Sequence, residues 1–137
     1  MTDDYNTQII EEFRANDGRV GGPWEGTPLI LVHHIGAKSG IEHVTPLGSF
    51  PQGDGRYVIV ASNGGSATHP AWYHNLKATP RVDVEVGAET FTAIAEELDD
   101  TTRAQLWPQL VAQAPQIDAH QAKVTRQIPV IMLTRED

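Results

Sequence analysis

Leu29-Ile30-Leu31-Val32-His33-His34-Ile35, then Gly36-Ala37-Lys38-Ser39-Gly40, then His43 to Phe50: this stretch decides the fold. The first piece is a short, almost wholly apolar run bounded by glycine, which is the pattern of a buried β-strand. The second is a glycine-bounded turn. The third is another β-like run, edged by Pro46. A parallel crossover needs about a dozen residues or more. The turn is far shorter, so the two strands form an antiparallel hairpin.

Downstream the pattern repeats. Pro51-Gln52-Gly53-Asp54-Gly55 is a turn with a fixed-φ proline and permissive glycines. Arg56 to Ser62 is a third strand. Arg81 to Val86 alternates Val82, Val84 and Val86 with Asp83 and Glu85, a strand with one wet face. Gly87-Ala88 turns it into a partner, Thr90 to Ala95, and Ile128 to Leu133 closes the set.

The helices lie between and before these strands. Tyr5, Ile9 and Phe13, with Ile10, predict an N-terminal amphipathic helix capped by Asp3 or Asp4 and ended by Gly18. Pro70 suits the first turn of a short helix through Leu76. Asp99-Asp100-Thr101-Thr102 caps a helix with Leu106, Leu110 and Val111 on its apolar face, and Pro108 is expected to kink it. A last helix is expected over 115–124. About six strands with flanking helices make a mainly β chain, a small antiparallel barrel or strongly twisted sheet. Strands and helices do not alternate, so a doubly wound parallel sheet is set aside.

Composition sets limits on function. The chain has 137 residues, which fits one domain. Its formal net charge of −8 argues against a nucleic-acid binder and a polybasic membrane anchor. It has no cysteine, which excludes disulfides, thiolate metal sites and a cysteine nucleophile. The start carries acids and no apolar h-region, and no run reaches the roughly 18 apolar residues of a spanning helix. The expectation is a cytoplasmic protein. The acidity is uneven. Residues 26 to 81 hold Lys38, Arg56, Lys77 and Arg81 against only Glu42 and Asp54, whereas Asp83 to Asp100 has seven acids and no Lys or Arg.

No G-x-S-x-G elbow, P-loop, H-E-x-x-H or G-x-G-x-x-G is present. Five of six histidines lie between residues 33 and 74. His33 and His34 are neighbours on a strand and point to opposite faces. Zinc takes three or four ligands with supporting spacing, and none is seen, so no metal site is assigned. Two loops stand out. Lys38, Ser39 and Gly40, with His43 after them, put a cation, a hydroxyl and tight-turn N–H groups together, a candidate anion site. Ala61-Ser62-Asn63-Gly64-Gly65 leaves a strand and feeds a helix, and its glycines allow backbone to approach a flat ligand. Trp72, Tyr73, Trp24 and Trp107 are candidate walls for a pocket. His120 and Lys123 stand i, i+3 on one helix face.

In combination these pieces resemble the deazaflavin (F420)-dependent nitroreductase and quinone reductase family. The resemblance rests on Gly36 to Gly40 with His43, Thr45, Pro46 and Leu47; on Val60 to Gly65; on His69-Pro70-Ala71-Trp72-Tyr73-His74-Asn75-Leu76, Ala78 and Pro80-Arg81-Val82; and on Thr125-Arg126-Gln127-Ile128-Pro129-Val130. It spans about residues 28 to 134, after an N-terminal helix over 1–18.

The resemblance implies a split β-barrel oxidoreductase that uses coenzyme F420. It implies cofactor phosphate near Lys38 and Ser39 with His43 helping, and Gly40, Thr45 and Pro46 as further cofactor-binding residues. The ring would lie against Ala61, Ser62, Asn63, Gly64 and Gly65, near Trp72 and Tyr73. It also implies hydride transfer to a quinone, with activated nitro compounds as incidental acceptors. Three positions depart from the family pattern: Ala37 and His43 where Arg is usual, and Asn63 where some members have Lys. His120 stands where several members have a substrate-side tyrosine, and it is the candidate catalytic residue. An FMN-dependent oxidoreductase on a related barrel and a non-catalytic flavin carrier are the alternatives. A monomer is expected, a dimer being the other option, with at most weak peripheral membrane contact.

Overall fold

The computed structural model describes residues 2–136. Seven strands form one sheet: β1 (Leu29–Ile35), β2 (Glu42–Gly48), β3 (Phe50–Gly53), β4 (Arg56–Val60), β5 (Arg81–Val86), β6 (Glu89–Glu97) and β7 (Val130–Arg135). All neighbours are antiparallel, in the order β2-β1-β5-β6-β7-β4-β3. β2 and β3 stand at opposite ends of that order, yet only Ser49 separates them in sequence. The sheet must therefore curl until its two ends meet, which is what makes it a barrel.

Ser49 divides what the sequence suggests is one strand, His43 to Phe50. Gly48 still pairs with Leu29 on β1, whereas Phe50 pairs with Val58 on β4. The Ser49 N–H leaves both ladders and donates to the Pro28 carbonyl at 2.9 Å. The β3–β4 hairpin turns through Asp54 (φ 55°) and Gly55 (φ 73°). Two positive φ values are the type I′ pattern, whose twist suits a two-residue hairpin.

The buried run in β1 serves two layers at once. Ile30 and Val32 join the main core with Ile59, Val84, Ala93 and Leu133. Leu29 and Leu31 face the other way, against Ile9, Phe13 and Val20. The N-terminal helix α1 (Thr2–Ala15) is docked by that second cluster. It is also tied by Arg14, which donates twice to Glu85 at 3.0 and 2.6 Å. Tyr5, expected on the buried face, is 50% exposed, and its hydroxyl accepts from Trp24 Nε1 at 3.0 Å. The expected Asp3 or Asp4 cap lies outside the described side chains.

Helix α2 (Ala71–Ala78) follows β4, and α3 (Asp100–Gln113) and α4 (Gln116–Ala122) follow β6. Pro70 is the N-cap of α2 rather than its first helical residue. Asp99 caps α3, accepting from Thr102 N–H at 2.8 Å. Pro108 does not divide α3, which is assigned as a single helix through it. Pro108 and Ala104, whose carbonyl loses its partner, are both exposed, so water can satisfy that carbonyl. Leu110 and Ile117 seal a third cluster over Phe50, Val58 and Val130. Among the described residues no helix is long and apolar enough to cross a membrane.

Candidate functional site

A cavity of about 790 Å³ opens where β2 passes into β3. Its walls come from Trp24 to Pro28, from Pro46 to Phe50, from Ser62 to Gly64, from Pro70 and Trp72, and from Ile117 and His120. Seven of the candidate pocket and cofactor residues singled out by sequence meet here: Trp24, Pro46, Ser62, Asn63, Gly64, Trp72 and His120. Trp72 is also core, 7% exposed and packed with the barrel interior. His120 Nδ1 is buried without a hydrogen-bond partner among the described residues.

A second hollow of about 410 Å³ is lined by His43, Thr45, His34, Glu42, Ala71 and Asn75 with part of α1. The two spaces adjoin along the chain. Thr45 lines one and Pro46 the other; Ala71 lines one and Pro70 and Trp72 the other. His43 and Thr45 thus stand beside the ring-sized cavity, not in it.

A hydrogen-bonded chain runs along the wall of this second hollow. Asn75 Oδ1 accepts from Ala37 N–H at 2.9 Å, and Asn75 Nδ2 lies 2.9 Å from His34 Nδ1. With the amide oriented by Ala37, Nδ2 donates and Nδ1 accepts. His34 Nε2 then carries the proton and donates to Thr45 Oγ1 at 2.8 Å. Burial, followed by the nearby charges of His43 and His33, pushes the His34 pKa down to about 4. The ring is a neutral structural joint. His33, on the opposite face, meets Glu85 at 2.7 Å and Glu42 at 3.3 Å.

Lys38, Ser39 and Gly40 are exposed and line neither space. Their turn is closed by Gly40 N–H on Gly36 O at 2.9 Å and by Ile41 N–H on Ser39 Oγ at 3.2 Å. Of the other cations in the mildly basic middle, Lys77 is paired with Glu97 and Arg81 with Glu136. The local excess of positive charge is therefore smaller than the sequence count. Tyr73 is turned away from the large cavity. Its hydroxyl donates to Glu97 at 2.6 Å, and its ring lines a separate hollow of about 260 Å³ with Lys77 and Leu76. Trp107 lies against Arg103 and donates to Asp118, outside the cavity walls.

Arg126 is the residue whose role the sequence conceals. Its Nε donates to Ser66 O at 3.1 Å, its Nη2 to Ser62 O at 3.0 Å, and its Nη1 to Ala61 O at 3.4 Å. Nη1 also meets His69 Nδ1 at 2.8 Å, which must accept because guanidinium only donates. Burial, then the Arg126 and His74 charges, lowers the His69 pKa, consistent with that neutral ring. Thr125-Arg126 is legible as a motif, but its contacts lie 57 to 65 residues away. Ala61 is fully buried, and Gly65 sits against His120 and Lys123, where an added Cβ would come within 3.4 Å of both. Among the described residues no group of three or more His, Asp or Glu is placed to hold a metal.

The model of the family described as F420H(2)-dependent quinone reductase matches residues 6–135. The chain belongs to that family. An F420H(2)-dependent quinone reductase of Mycobacterium tuberculosis is 40% identical over 128 residues, covering 90% of this chain and 85% of that protein. The solved structure of an F420-H2 dependent reductase is 37% identical, with a TM-score of 0.70 over 77% of this chain and 93% of that one. Another neighbour, a domain-swapped dimer, is 34% identical, with a TM-score of 0.71 over 96% of this chain and 98% of that one. The chain is thus an oxidoreductase of an F420H2-dependent family, and its antiparallel barrel is the split-barrel fold expected from the resemblance.

Proposed function

We propose that this chain carries a hydride from reduced F420 to a quinone, or to a similarly activated acceptor such as a nitroaromatic. The observation that carries the reading is the cavity at the β2–β3 junction in a chain matched to the family over almost its whole length. Its volume is that of a small-molecule site, and its walls combine apolar surface with polar side chains such as Thr27, Ser49, Asn63, Gln116 and His120. Trp72 and Pro46 offer flat apolar surface, Ser62 to Gly64 offer backbone donors, and the unpartnered Nδ1 marks His120 as incompletely satisfied. These residues fit a flat ring with polar edges.

Bound F420H2 supplies the hydride, from its C5 carbon, and one proton more completes the hydroquinone. The chain's own work is to position and shield. The wall from Pro46 to Trp72 holds ring and acceptor together and keeps water out. Ala61 and Gly65 anchor the two ends of the loop that faces the ring, and Tyr73 braces α2 from behind. Lys38, Ser39 and Gly40, with His43 and Thr45, take the cofactor's phosphate end; the hollow lined by His43 and Thr45 supports the part given to those two. His120 contacts the acceptor and donates a proton to the reduced oxygen.

The acting unit in this reading is a monomer in the cytoplasm, with a dimer, the form of one structural neighbour, as the alternative. Weak peripheral contact with a membrane would bring lipophilic quinones within reach. Ile41, 61% exposed three residues from Lys38, is an apolar side chain placed for it.

The test is to titrate purified protein with F420 and with FMN. F420H2 and menadione are then added without oxygen, and the absorbance of oxidised F420 is followed. F420 is expected to bind in preference to FMN, and the absorbance to return only with all components present. Binding without reoxidation would make the protein a carrier. FMN retained through purification would make it an FMN oxidoreductase.

A further inference from the structure

Ser62 has right-handed helical backbone (φ −74°, ψ −28°), and Asn63 follows with φ 50°. Gly64 continues at φ 63°, ψ 18°. A right-handed residue followed by a left-handed one turns successive N–H groups toward a common point and makes an anion-binding concavity. Among the described residues, no hydrogen bond engages the N–H of Ser62, Asn63 or Gly64. The next two amides are used: Gly65 N–H bonds Ser62 O at 2.9 Å and Ser66 N–H bonds Asn63 O at 3.0 Å. The three with unspent donors are the three residues of this loop that line the large cavity.

Arg126 explains why they face that way. In a trans peptide the carbonyl and the following N–H point in opposite directions, and no cis peptide is present among the described residues. The Ala61 and Ser62 carbonyls both lie on the Arg126 guanidinium. The Ser62 and Asn63 N–H groups therefore point away from it. A cation held on those carbonyls also polarises the same two peptides, which makes their N–H groups stronger donors. Ser66 O and His69 Nδ1 fix the guanidinium from the far end of the loop, and Asn63 Nδ2 adds a bond to Thr68 O at 3.0 Å.

We propose that Arg126 is a positioning residue for the cofactor ring. It fixes the Ala61–Ser66 loop so that the N–H groups of Ser62, Asn63 and Gly64 converge on one electron-rich carbonyl oxygen of the deazaflavin. The inference rests on the proposed function above, since it takes the cavity as the F420 site. A lysine cannot replace the fork, because one ammonium cannot span Ser66, Ser62 and Ala61 in a fixed plane.

Two variants test it, with the intact protein and F420 as the probe. Arg126→Lys is expected to raise the F420 dissociation constant about tenfold or more. It should return the absorbance band of bound F420 toward that of the free cofactor. It should also speed hydrogen exchange at the Gly65 and Ser66 amides in cofactor-free protein. Ser62→Pro removes one donor at a φ that proline adopts, and that N–H has no partner among the described residues to lose. It should leave the melting temperature near that of Ser62→Ala while weakening F420 binding more than Ser62→Ala does. Wild-type affinity and spectrum in both Arg126→Lys and Ser62→Pro would overturn the inference alone. If Arg126→Lys does not fold, the comparison of Ser62→Pro with Ser62→Ala decides. Failure of the unmodified protein to bind F420 would overturn the proposed function and this inference with it.

Discussion

Asn75 donates to His34 Nδ1 at 2.9 Å while accepting from the Ala37 N–H at the same distance. One side chain on α2 thereby joins strand β1 to the turn that carries Lys38. The bond decides the state of His34, because an Nδ1 that accepts is an Nδ1 without a proton. Asn75→Asp reverses it, since a carboxylate cannot donate and favours a charged ring beside it. The His34 pKa should then rise well above about 4, which histidine ring NMR over a pH series reads directly. Asn75→Leu leaves the Ala37 N–H and Nδ1 unpaired and should cost about 2 kcal/mol in chemical denaturation.

His34 also gives stability a pH dependence. In the unfolded chain it titrates near 6.5, whereas in the fold it is held to about 4. Between those values the unfolded chain binds a proton that the folded chain refuses. The contribution is intact above 6.5 and declines as pH falls toward 4, by about 3 kcal/mol in all. Unfolding free energies at pH 7, 6 and 5 should fall in that order. His34→Gln, which does not titrate, should be less stable at pH 7 but show a shallower slope. A slope equal to wild type would place the effect elsewhere.

Lys38 is exposed on a turn whose backbone is already closed. In the proposed site its part is charge toward the cofactor phosphate. Lys38→Ala should raise the F420 dissociation constant about tenfold and lower turnover at saturation far less. An unchanged dissociation constant would refute the phosphate assignment.

His120 faces the acceptor side of the cavity in the proposed mechanism. Its replacement by alanine should slow turnover about tenfold to a hundredfold. Turnover unchanged at every pH would remove the proton-donor role.

Much of this was legible in the sequence because the signals were local. Short apolar runs between glycine turns gave the antiparallel hairpins, and strand alternation sent His33 and His34 to opposite faces. The break at Ser49 was not legible. It follows from barrel closure, which makes the two ends of one extended segment pair with different strands. Trp72 and Tyr73 looked equivalent as aromatic neighbours. Consecutive helical residues stand about 100° apart, so one lines the cavity and the other reaches Glu97. Arg126 reads in the sequence only as part of a motif, because its partners are brought to it by the barrel, as are the Asn75 bonds to Ala37 and His34.

The most direct measurement of the central claim is a single turnover. Protein loaded with F420H2, and protein loaded with F420H2 deuterated at C5, are each mixed with excess menadione without oxygen. The return of oxidised-cofactor absorbance is then timed. Direct hydride transfer in this chain predicts return far faster than in a protein-free control, and slower for the deuterated cofactor than for the ordinary one. Return no faster than the protein-free rate would contradict it.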